Sequence, residues 1–118
     1  MIQELISTVA KVTDASRPTE THKVLLKNIT SYYNVELQEE TITLNSYKVI
    51  NDEDGEYEFI RTHARTIDKP TLDAIRASLT ITSTDYTDVR NEELVKGAKK
   101  IFGTEGIFGF TEAQLTER

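Results

Sequence analysis

The chain contains no cysteine, which excludes disulfides, thiolate nucleophiles, zinc ribbons and iron–sulfur ligation; stability has to come from packing or from partners. No apolar run approaches the roughly 18 to 20 residues needed to span a bilayer, so membrane insertion is not expected. The start Met1-Ile2-Gln3-Glu4-Leu5 has neither the basic flank nor the apolar centre of a signal peptide, and cytoplasmic synthesis without export is the expectation. Catalytic signatures are missing as well. There is no Gly-x-Ser-x-Gly elbow, and Gly103, Gly106 and Gly109 lack the lysine that would complete a phosphate-binding loop. His22 and His63 form no His-x-x-x-His or His-Glu-x-x-His pattern. The sequence therefore points to no catalytic residue, no metal and no cofactor.

What is present suits one domain. A chain of 118 residues buries roughly two-thirds of its unfolded surface on folding. Apolar residues make up 37% and charged residues 29%, which predicts a folded domain with a thin core. A formal net charge of −6 opposes long-range attraction to phosphate backbones and anionic lipid, so nucleic acid is a disfavoured partner. Threonine occurs 17 times, often alternating with isoleucine, leucine or valine, a pattern suited to strands with one wet face.

The spacing of Ile2, Leu5, Ile6, Val9 and Val12 predicts an amphipathic helix over 1–13. Between His22 and Leu37 the pattern fits both helix and strand, with helix favoured up to Tyr33. Residues 41–67 read as an antiparallel hairpin turning at Asn51-Asp52-Glu53-Asp54-Gly55, with a bulge expected near Asn45-Ser46. Asp68-Lys69-Pro70 opens a short helix, and Thr80 to Thr84 returns to a strand-like alternation. A later helix carrying Leu94, Ala98, Ile101 and Phe102 is expected to stop at Gly103, and Thr111-Glu112-Ala113-Gln114 fits a capping box for a last short helix. The fold class read from this order is α+β: an N-terminal amphipathic helix, a central antiparallel hairpin or sheet and C-terminal helices.

Three groups of residues stand out. The acidic cluster Asp52, Glu53, Asp54, Glu56 and Glu58 fails as a calcium loop, because alignment on Gly55 puts Ile50 and Arg61 at the first and twelfth ligand positions. It reads as a solvated hairpin tip. Arg61, His63 and Arg65 alternate along a strand and project from one face about 7 Å apart, either as the charged outer face of a sheet or as a site for an anionic ligand or nucleic acid. Ile107, Phe108 and Phe110 crowd a glycine-rich segment; residues 103–118 read as a Phe/Gly-rich tail that docks onto a neighbouring subunit or covers the edge of the domain's own core. These features together favour a non-enzymatic structural subunit of an oligomeric assembly, working through contacts with protein subunits of the same or a neighbouring type. Its concrete form would be a small phage or virus particle component, in the head, neck or tail. The competing reading is a binding module acting through Arg61, His63 and Arg65.

Overall fold

Glu39–Asn51 (β3) and Glu56–Asp68 (β4) form the long hairpin that their β-branched alternation dictates, and in the computed structural model, which describes all residues from Met1 to Arg118, they sit at one side of a five-stranded antiparallel sheet. The other strands are Leu5–Ser7 (β1), Val24–Asn34 (β2) and Leu115–Glu117 (β5), and the sheet order is β4-β3-β2-β1-β5. Two helices, Lys69–Ala77 (α1) and Tyr86–Glu105 (α2), complete a strand-dominated chain that is 40% strand and 27% helix.

The expected N-terminal helix is absent. Its place is taken by β1, which lies between β2 and β5 with Leu5 and Ser7 buried. The β-branched and hydroxyl side chains of Ile2, Ile6, Ser7, Thr8 and Val9 are indifferent helix formers, and pairing on both edges of β1 outweighs a helical apolar stripe. The helical lean over 22–33 fails for a different reason. β2 carries a bulge between Lys27 and Thr30, with Asn28 at φ 57°, and this extra residue turns a period-two pattern into one that resembles helical spacing.

Along β3, Glu40, Ile42, Leu44, Ser46 and Lys48 all point to the helical layer, so the alternation runs unbroken through Asn45-Ser46. Tyr47 and Val49 belong to the opposite face. The bulge expected near Asn45-Ser46 is found between Ser46 and Tyr47, with its extra residue, Ile60, on β4: Tyr47 pairs with Phe59 and Ser46 with Arg61. A second shift between Val49 and Asn51 bends the tip of the hairpin further.

The core fills the space between the sheet and α2. Leu5, Leu26, Ile42 and Leu44 from the strands meet Val95, Ala98 and Phe102 from α2, and Phe110 and Leu115 close the layer. Asp68 caps α1 by accepting from the Thr71 amide at 3.1 Å, and Pro70 occupies the first turn. Arg76 of α1 ties the layers together through Glu40 of β3 (2.7 Å) and Glu93 of α2 (3.0 Å). Thr80 to Thr84 form no strand. That loop wraps the carboxylate of Glu92, which accepts from the Thr82 and Ser83 amides at 2.6 and 3.1 Å and from the Ser83 hydroxyl at 2.7 Å. The α2 helix runs past Gly103 and ends at Gly106, which adopts the left-handed conformation that stops helices. The last helix is reduced to a single 3-10 turn, Glu112–Gln114, which keeps its capping box at Thr111 and leads straight into β5.

Candidate functional site

Arg65, His63 and Arg61 pair with Ile42, Leu44 and Ser46 of β3, all buried on the helix-covered face. Directly opposed residues share a face, so the basic stripe is turned inward and is not the charged outer surface expected of it. Phe59 lies beyond the bulge and on the other face, edge-on to Tyr47 with ring centroids 5.6 Å apart.

The inward stripe meets the aromatics of the C-terminal half in an alternating stack. The Arg61 guanidinium lies 5.3 Å from the Phe108 ring; His63 stands edge-on to Phe108 at 5.3 Å and to Phe102 at 6.4 Å; the Arg65 guanidinium lies 5.3 Å from Phe102. Arg65 is also ion-paired with Glu105. Cation–aromatic contacts of this kind let two arginines flank a nearly dry imidazole. Burial first, then the charges of Arg61 and Arg65, hold His63 down at about 4, so it is neutral at pH 7. The Ser46 hydroxyl donates its one proton to the Arg61 carbonyl at 3.1 Å, which leaves it to accept from His63 Nε2–H at 2.9 Å. His63 is thus locked as the Nε2–H tautomer.

The Phe/Gly segment divides between two roles. Ile107 and Phe110 are buried in the domain's own core, and Leu115 anchors β5 against β1. Phe108 is half-buried at φ 50°, a conformation a phenylalanine adopts at a cost, and it is held there between Arg61 and His63. Glycines at 106 and 109, with φ 79° and 78°, make the tight turn possible. Residues 103–118 therefore close the core of this domain, the other of the two readings the sequence left open. Of the six residues singled out, four converge in the stack and two are core.

The acidic tip is not purely solvated either. Asp52 accepts from Tyr57 Oη at 2.6 Å and from both terminal nitrogens of Arg118 at 2.7 and 3.0 Å, and these hydrogen bonds, Arg118's first, lower its pKa. Because the β3–β4 hairpin and β5 lie toward opposite ends of the sheet order, this contact brings the hairpin tip back to the end of β5.

One surface was hidden by the helical lean over 22–33. The β2–β3 hairpin ends in an arm on which Tyr32, Val35 and Leu37 are 70%, 77% and 64% exposed. Tyr33 adds to it at 39% exposure. The sequence signal was the apolar alternation Tyr33, Val35, Leu37, visible only once the segment is read as strand and turn. The adjoining outer face is threonine-rich: Tyr32, Thr41 and Thr66 form one cross-strand row, and Thr30, Thr43 and Ala64 the next.

No family model matches this chain, and neither curated proteins nor solved structures gave a significant match. No helix is long and apolar enough to cross a membrane.

Proposed function

We propose that the chain is a non-enzymatic structural subunit of a larger protein assembly, acting through contacts with subunits of the same or a neighbouring type. The observation that carries this reading is the β2–β3 arm, which holds Tyr32, Val35 and Leu37 out in water at the end of the sheet. Single exposed apolar residues are ordinary, but a contiguous group at the tip of a hairpin is the feature that interfaces use. The outer edge of β4 supports the same reading: it is 13 residues long and carries backbone groups free to pair with a neighbour. The concrete setting we propose is a phage or virus particle, with the chain as a small head, neck or tail component; small size combined with a projecting arm supports it.

Native mass spectrometry and light scattering on the full chain, alone and after recovery from its native cells, test the proposal. Oligomers or co-purifying protein subunits are the expected result. Replacing Tyr32, Val35 and Leu37 together by serine leaves the circular dichroism spectrum intact, because none of the three is buried, and abolishes association. A monomer under both conditions overturns the proposal.

A further inference from the structure

A groove of about 540 Å³ opens between the 12–15 segment and the bulged part of β4, with Lys48 and Arg61 on one side and Val12, Ala15, Ile60 and Phe108 as apolar lining. Three polar groups in it are short of partners. Lys48 is 5% exposed, yet its ammonium has only a 3.4 Å contact to Glu58, whose side chain is itself mostly in solvent. A buried ammonium offers three donors, and that contact uses at most one of them. The Arg61 guanidinium rests on the Phe108 ring and has no ion-pair partner, unlike Arg65. Thr13 is 6% exposed with a hydroxyl that has no hydrogen-bond partner. The nearby carboxylate of Asp14 accepts from the Ser16 amide at 2.9 Å and the Ser16 hydroxyl at 2.7 Å, both through Oδ1, and forms no ion pair with Lys48 or Arg61.

We propose that this groove binds a carboxylate carried on an apolar body, with Arg61 and Lys48 holding the charge. The charge count selects a monoanion. Lys48 and Arg61 stand against Asp14 and Glu58, so one carboxylate that takes over the role of Glu58 at Lys48 is balanced, whereas a phosphate dianion is not. The planar fork of an arginine matches a carboxylate, and the apolar lining gives the rest of the ligand a dry surface. Two sources share this chemistry: a free aromatic or aliphatic acid, and the C-terminal carboxylate of a polypeptide.

Titration of the full chain, followed by isothermal calorimetry and amide NMR shifts, uses benzoate, N-acetylphenylalanine, N-acetylphenylalanine amide and inorganic phosphate. Benzoate or N-acetylphenylalanine binds, with shifts at Thr13, Lys48 and Arg61; tighter binding of benzoate assigns the free acid and tighter binding of N-acetylphenylalanine assigns a chain terminus. Loss of the carboxylate in the amide, or Arg61→Gln in the protein, weakens binding by about tenfold or more, as expected for a charge-assisted hydrogen bond. Arg61 is exposed, so its variant folds even where a change at Lys48 does not. Equal binding of acid and amide, tighter binding of phosphate, or no shift at these residues overturns the proposal. Carboxylate binding and assembly are separable, since calorimetry reads the first and native mass the second.

Discussion

Arg118 donates to both carboxylate oxygens of Asp52, at 2.7 and 3.0 Å, and so joins the end of β5 to the tip of the β3–β4 hairpin at the other end of the sheet order. Arg118 also pairs with Glu4 at 2.6 Å, which makes a three-residue network of a contact that would otherwise be one surface ion pair. Both partners are 39% exposed, and solvent screening keeps the net contribution near 1 kcal/mol or less. Asp52→Ser is therefore expected to lower stability by about 1 kcal/mol, with the loss shrinking in high salt. Glu53→Ser, at the same tip without such a contact, stays within about 0.5 kcal/mol. Denaturant titration at two salt concentrations checks the pair.

His63 makes the fold acid-sensitive. Its folded-state pKa, about 4, lies below the ordinary 6.5, so in the interval between them the unfolded chain binds the proton that the folded chain refuses. The stability conferred by the neutral imidazole is complete above about 6.5, falls as pH drops towards 4 and then levels off, a loss of roughly 3 kcal/mol. His63→Gln removes this component. The measurement is the difference between the two proteins' unfolding free energies from pH 7 to pH 4, which is expected to narrow as pH falls.

Glu92 holds the 80–84 loop. Hydrogen bonds from the Ser83 hydroxyl and the Thr82 amide, more than its ion pair with Lys96, pull its carboxyl down to about 2. Stability from the carboxylate is complete above its ordinary value and is lost as pH falls towards 2. Glu92→Gln is expected to raise amide exchange at Thr82 and Ser83 at neutral pH, because a neutral amide offers a weaker acceptor to both N–H groups. Unchanged exchange there refutes the anchoring role.

Two glycines of α2 respond oppositely to alanine. A Cβ at Gly103 sits 2.6 Å from the Glu112 Cα and 2.7 Å from its nitrogen, both backbone atoms that cannot move aside cheaply. Gly103→Ala is expected to cost about 1–3 kcal/mol as overpacking. At Gly97 nothing lies within 4 Å of the added carbon, and the gain in helix propensity raises stability by about 0.5–1 kcal/mol. Thermal melts of the two variants check the sign of each.

The C-terminal segment tests its role as part of the core. Phe110 is fully buried, and Phe110→Ala is expected to cost about 3–5 kcal/mol. Deleting the residues after Gly103 also removes Leu115 and the strand that flanks β1, and the expected product is unfolded. A folded truncated chain by circular dichroism is the contrary outcome.

The sequence by itself determined the local features whose cause is local. The β3–β4 hairpin follows from β-branched alternation around Asp54-Gly55, and the start of α1 follows from Asp68 and Pro70, because turn and cap chemistry act over four or five residues. Three things were decided only in the folded chain. β1 is a strand because β2 and β5 pair with it from both sides, and one of those partners lies more than 100 residues away. The direction of the Arg61, His63 and Arg65 stripe depends on register: alternation puts the three on one side, but only pairing with Ile42, Leu44 and Ser46 makes that side the core. The bulges at Asn28 and Ile60 disturb the period on which sequence reading rests: the first disguised β2 as a helix, and the second puts Phe59 on the opposite face from Arg61, His63 and Arg65.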